Sequence, residues 1–349
     1  MVIKKKLIFI LLIALVSSII FWQILDLTTR LTPELDDHRS NLEKYYQMYE
    51  NTTSINLELL TSTGAIGKFD GSIFTKEYFQ KKIDIGYIFL NYLSNILGLT
   101  FENFLFIVIF LTYLVYIRIF YSLTSCKYLM IYLLLILFAS FWMNSTVGAV
   151  LRQAIAIGIL YYYLFFNNKI SYMKSFLILA LSSSIHMSAI ILLPYLIFEK
   201  IFIKNLKLLS LFFVIVTIVY IFELNVFVRD VVSYFADTIN FETRALMGDK
   251  PDHPSVGFTI GKLLATIIPP IIYLLTIFLK NNPIKMIERR FYAYYIYVSS
   301  LGMLLSQMTY YERVLMYAWA LSPCLLAFFF NSIYRSFIIL LNKNLKSIR

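Results

Sequence analysis

The sequence has little charge, almost no cysteine and no compact motif for nucleotides or metals. Charged residues make up 15% of the chain and hydrophobic ones 60%. The two cysteines, Cys126 and Cys324, fall at expected cytoplasmic helix ends. They imply neither a disulfide framework nor a thiolate metal site. There is no P-loop and no GxGxxG turn, so no nucleotide donor is signalled. There is no HExxH and no His/Cys cluster, so no zinc site is signalled and no cofactor is expected. No nucleophile elbow announces serine hydrolase chemistry. No internal repeat and no Gly/Ser or Pro linker divides the chain.

What is present is one apolar run after another, with a mean hydropathy of +0.74. The runs are long enough for helices, too long for barrel strands, and apolar all round. The expected fold is an all-α polytopic membrane protein, a single transmembrane domain over 1–349, with about ten membrane helices including a short hairpin. The firm runs are 7–25, 103–121, 128–143, 147–166, 206–226, 257–280, 290–308 and 313–331. The first could pass for a signal peptide, but it is long and lacks a clear cleavage site, so an uncleaved span is the preferred reading.

The net charge of +11 is read as cytoplasmic loop charge and not as a nucleic-acid footprint. Lys4, Lys5 and Lys6 place the N-terminus inside. Alternating the loops from there collects eighteen basic residues on the inside against two acidic ones, Glu199 and Glu288. Both termini are then cytoplasmic. The segments 26–83 and 227–256 become outer loops. The piece 84–98 is too short to span comfortably and reads as a re-entrant or interfacial helix. The piece 172–198 has lysines at both flanks and reads as a helical hairpin bent at SSSIH, with a single tilted span as the alternative.

Three polar spots interrupt the apolar runs. Arg152 and Gln153 stand side by side in AVLRQAIAIGILYYYLFF, residues 149–166. An arginine at the bilayer centre costs about 2.5–3.5 kcal/mol on insertion scales. Arg152 can snorkel to the headgroups. Buried, its planar fork of donors suits phosphate or pyrophosphate. His186 ends SSSIH; it is either a satisfied core histidine or a group that accepts and returns a proton near neutral pH. In TYYERVLMY, 309–317, Glu312 and Arg313 either form a loop ion pair or give a second phosphate donor in the same cavity. The outer loops add Asp37, Asp84 and Arg244. All these groups fall on the outer side of the bilayer.

These residues resemble a family. STVGAVLRQAIAIGILYYYLF, a short basic turn and SFLILALSSSIHMSAIILLPYLIF are similar to the central signature of EpsG/Wzy-type bacterial polysaccharide polymerases. Arg152, Gln153, Ala156, His186, Ser188 and Ala189 match it residue by residue. Asp37 with Tyr45 or Tyr46, Asp84 in D-I-G-Y, and Arg313 with Tyr317 look like its remaining elements. The first loop lacks the family's usual spacing, and Asp84 stands where a glutamate is usual.

The resemblance implies a GT-C-like glycosyltransferase at the outer face of the bacterial cytoplasmic membrane. It would join oligosaccharide repeat units carried on undecaprenyl diphosphate, making capsule, O-antigen or exopolysaccharide. A flippase and a chain-length regulator are the implied partners, with membrane lipids around it and no nucleic acid. Arg152, Arg313, Gln153 and Arg244 would bind the diphosphate. His186, Asp37 or Asp84 would take the acceptor proton. Tyr45, Tyr46, Tyr310 and Glu312 would meet sugars. A flippase for lipid-linked sugars, an O-antigen ligase and another membrane transferase are the competing readings.

Overall fold

The structure is a computed structural model. It describes residues 2–31, 45–46, 48–49, 52, 84–124, 129–147, 150–166, 171–238, 256–279, 285–308 and 311–347. Among the described residues every regular element is helical. Hydrocarbon offers no partners for backbone N–H and C=O groups, and a helix satisfies them within its own segment.

Helix α1 covers Val2–Leu31, α2 Ile85–Ile96, α3 Phe101–Thr124, α4 Leu129–Val147, α5 Leu151–Phe166 and α6 Tyr172–Ile185. A 3-10 turn, Met187–Leu192, leads into α7, Leu193–Lys204. Then come α8 (Leu206–Ile221), α9 (Val226–Thr238), α10 (Ile260–Leu279), α11 (Met286–Leu304), α12 (Glu312–Trp319) and α13 (Ser322–Ser347).

Among the described residues, two stretches are long and apolar enough to cross a membrane, Phe101–Thr124 and Glu312–Tyr334. A third results if Met187–Lys204 and Leu206–Ile221, bent by 115°, count as one broken span. Shorter apolar helices include Leu7–Gln23, Leu129–Ser140, Leu151–Phe166, Tyr172–Ile185 and Ile260–Thr276. The described residues therefore show two or three clear spans with several shorter apolar helices, and do not by themselves reach the expected count of about ten membrane helices. The helix breaks at His186, within SSSIH, and again at Asn205, just before the run that starts at 206. The segment expected as the second outer loop opens with α9, an amphipathic helix. The expected short helix at 84–98 is present as α2, whose 12 residues rise about 18 Å.

The chain divides into two compact units. The first comprises 1–115, 143–197 and 230–247. In it, α5 packs on α6, and α6 on α2. The Tyr163 hydroxyl, near the end of α5, donates to the Ser171 carbonyl and meets Ser175 Oγ, both at 3.0 Å. That ties the foot of the α5–α6 pair. At its head, α2 approaches α6 through Gly86. A Cβ there would lie 2.9 Å from the Ser184 carbonyl carbon. On α1, Ile10, Ile13, Ala14 and Phe21 are buried while Leu7, Ile8, Leu12 and Ile19 are exposed. Ser17 and Ser18 return their hydroxyls to the Ile13 and Ala14 carbonyls at 2.6 and 2.7 Å, so neither is left unpaired in this apolar helix.

The second unit comprises 116–142, 198–229 and 248–349. Here α11 packs between α8 and α12, and α10 against α13. Tyr273 stacks on Tyr292 at 4.9 Å and donates to the Glu288 carbonyl at 2.8 Å. Asn225 caps the end of α11. Its amide donates to the carbonyls of Met303 (3.1 Å) and Leu304 (2.8 Å) and to Ser306 Oγ (2.8 Å). Those carbonyls have no partner inside the helix. Arg290 on α11 and Glu199 on α7 form a buried ion pair at 2.5 Å.

Candidate functional site

Three backbone features of the first unit converge on one carboxylate. Asp84 sits at the N-cap of α2. An aspartate there ordinarily accepts from the first turn of its own helix. Asp84 makes no such bond. Its backbone carbonyl serves the Tyr87 and Ile88 N–H groups, which leaves the side chain for other elements. One oxygen, Oδ2, lies 2.5 Å from an Arg152 terminal nitrogen at the start of α5. The other, Oδ1, accepts from the Met187 N–H at 3.3 Å, just past the end of α6. A single side chain thus joins the starts of α2 and α5 to the bend after α6. Gly86 permits the close approach this needs.

Arg152 is held from a second direction. Its guanidinium lies 5.7 Å from the centre of the Tyr45 ring, within cation–π range. Tyr45 meets Tyr87 edge-on at 5.8 Å. The first-loop residues reach this place because Asn95 on α2 donates to the Tyr49 and Thr52 carbonyls, both at 3.0 Å. Tyr49 in turn donates to the Leu99 carbonyl at 2.7 Å. Among the described residues, Arg152 Nε is buried and has no hydrogen-bond partner. The Ser182 and Ser183 hydroxyls share that condition. The guanidinium therefore spends one terminal nitrogen on Asp84 and keeps another donor in hand.

His186 leaves the helix in an extended conformation and caps the 3-10 turn. Its Nδ1 accepts from the Ser188 N–H at 3.3 Å and lies 2.6 Å from Ser188 Oγ. Polar side chains are rare within apolar membrane segments unless a site uses them.

The structure brings Asp84, Arg152 and Tyr45 together, and joins them through the Met187 backbone to the His186 bend. Gln153 is fully buried. Tyr45 is buried with its face turned to Arg152, whereas Tyr46 is half exposed and packs edge-on against Phe101. Arg313 and Glu312 open α12 in the second unit. There Glu312 lies 3.9 Å from Lys262, whose ammonium sits 4.5 Å from the Tyr311 ring centre. Lys262 is not among the residues singled out from the sequence, although it stands inside the apolar run 257–280, whose other cation, Lys280, closes it. Asp37, Arg244 and Tyr310 lie outside the described residues.

The arrangement can hold an anionic group beside a fixed guanidinium at the end of a polar bend. It offers donors, a carboxylate already engaged by a cation, and an imidazole in a defined pose. A family model described as the EpsG family matches residues 39–343. No curated protein and no solved structure matches the chain.

Proposed function

The chain belongs to the EpsG family and is a polysaccharide polymerase-like membrane protein; from that premise we propose that it polymerises undecaprenyl-diphosphate-linked repeat units at the outer face of the bacterial cytoplasmic membrane. The donor is the growing chain on its lipid diphosphate. The acceptor is a hydroxyl of a single repeat unit on a second carrier, delivered by a flippase. The bond between the sugar C1 and the diphosphate oxygen breaks, and its electron pair leaves with the diphosphate. The acceptor oxygen bonds to C1, and its proton passes to a base.

The observation that supports this reading most is the Asp84–Arg152 pair locked to the His186 bend. Departure of a diphosphate builds negative charge on its bridging oxygen. Fixed donors aimed at that point stabilise the transition state without reorganising. Arg152 is such a donor, aligned before substrate arrives. Asp84, bonded to both a guanidinium and a backbone N–H, serves better as its holder than as a base. Gln153 and Arg244 extend the diphosphate-binding set, and Tyr46 meets sugars.

The test is the profile of lipid-linked oligosaccharides in a strain lacking the gene. Single repeat units should accumulate on the outer leaflet, with no ladder of longer chains, and complementation should restore the ladder. Repeat units trapped on the inner leaflet would instead identify a flippase. Long chains left on the carrier would identify a ligase. Either result overturns the polymerase reading.

A further inference from the structure

His186 carries a constraint that its distances make explicit. Two groups of Ser188 point at the same ring nitrogen, Nδ1: the backbone N–H at 3.3 Å and the hydroxyl at 2.6 Å. A backbone N–H has no lone pair and can only donate. Nδ1 must therefore present a lone pair, and the hydroxyl donates to it as well. A neutral imidazole with a bare Nδ1 carries its hydrogen on Nε2.

A histidine that takes a proton through Nε2 needs the reverse arrangement. Its Nδ1 holds the hydrogen and faces an acceptor such as a carboxylate or carbonyl. Here Nδ1 faces a donor that the backbone cannot turn round. Placing a hydrogen on Nδ1 would set two N–H groups against each other and undo the cap of the 3-10 turn.

We infer that Ser188 holds His186 as the Nε2–H tautomer, and that His186 serves glycosyl transfer as a hydrogen-bond donor to the departing lipid diphosphate. It is not the base. The ligand of Nε2–H rests on the polymerase reading above; the tautomer does not. In the transfer step the electron pair of the broken C1–O bond settles on the diphosphate. Arg152 and the Nε2–H stabilise it there, and the imidazole keeps its proton. The acceptor proton goes to a carboxylate other than Asp84, which is committed to Arg152. Ser188 is a positioning residue. Asp84, which binds both the Met187 N–H and Arg152, ties the bend at His186 to the guanidinium.

The chain has three histidines, His38, His186 and His253. The full-length protein, labelled with 15N-histidine and held in lipid nanodiscs, therefore gives a simple nitrogen NMR spectrum. Comparison with His38→Gln and His253→Gln identifies the His186 signals. The expected result is a protonated Nε2 and an unprotonated Nδ1, with Ser188→Ala giving a mixture of tautomers. A hydrogen on Nδ1 in the wild-type protein would overturn the inference.

Two substitutions then read the donor role. Glutamine places an amide –NH2 near the position of Nε2. Asparagine replaces Nδ1 with a group able to keep the cap, but reaches no further. At equal protein in the membrane, His186→Gln should keep polymer formation within about tenfold of wild type, while His186→Asn should lose about 100-fold or more. Equal loss in both variants would sink the donor role. If the tautomer is as inferred but the deletion strain still makes its ladder, the polymerase reading fails and the Ser188 lock stands.

Discussion

At the scale of single residues, Arg152 is the position where type matters most. The R-Q pair inside an apolar helix made it visible in the sequence, and its charge at that depth called for a partner. The partner's identity was not visible. Asp84 lies 68 positions earlier in the chain, and only the fold brings the two together. The same holds for Ser188: its place two residues after His186 is plain, but that its N–H and hydroxyl both meet Nδ1 depends on the extended backbone at 186. Lysine is a point charge on a flexible stem and cannot hold Asp84 while offering a second, differently directed donor in the same plane. Arg152→Lys should therefore remove the oligosaccharide ladder while the protein remains inserted at wild-type level. Asp84→Asn keeps shape and removes the anchoring charge. It should reduce polymer by about 100-fold. Product within twofold of wild type from either variant, quantified by gel after metabolic labelling, would show that the pair is structural only.

At the scale of elements, the polar bend was legible because serines and histidine do not occur in apolar stretches without cause. The sequence placed it within 182–186, and the helix ends at Ile185. What could not be read was how close α2 comes to it. Gly86 stands two residues from Asp84 and faces Ser184, two residues from His186. Its missing Cβ sets the distance between the carboxylate and the bend. Gly158, on α5, has no heavy atom within 4 Å of where a Cβ would be. The two glycines make a matched comparison. Gly86→Ala should destabilise the protein by about 1–3 kcal/mol through overpacking and lower polymer yield as Asp84 is pushed away. Gly158→Ala should leave stability unchanged or raise it by up to about 1 kcal/mol, since alanine favours the helix. Thermal unfolding in detergent, followed by loss of soluble protein, compares them. A Gly86→Ala protein as stable and active as wild type would mean that the contact is slack.

At the scale of the whole molecule, composition alone sufficed for a helical membrane protein. It leaves the number of crossings open, because several apolar helices, Leu151–Phe166 and Tyr172–Ile185 among them, are shorter than a span needs. The first loop was legible in part: Leu42, Tyr45, Tyr46 and Tyr49 fall at helical spacing, and Tyr45 and Tyr49 are buried. The charge asymmetry carries a prediction about orientation that thiol labelling can check. In a Cys126→Ser background, Ser54→Cys should react with a membrane-impermeant maleimide on intact cells. Lys343→Cys should react only after the membrane is opened. Cys324 is fully buried and should stay silent throughout. The reverse pattern would place the Asp84–Arg152 site on the cytoplasmic side and remove the outer-leaflet substrate.

The buried pairing of Glu199 with Arg290 has a consequence for how the protein is made. Each charge belongs to a different helix, and the ribosome finishes α7 long before it begins α11. Until Arg290 emerges, Glu199 lacks its ion-pair partner and has only the adjacent Lys200 to offset its charge, and such a carboxylate resists leaving water. The nascent chain must then park α7 near the interface, or within the shelter of the insertion machinery, and settle it only when the later helix arrives. Chains truncated before α11 should be quality-control substrates, cleared by membrane proteases although most of their apolar helices are already complete.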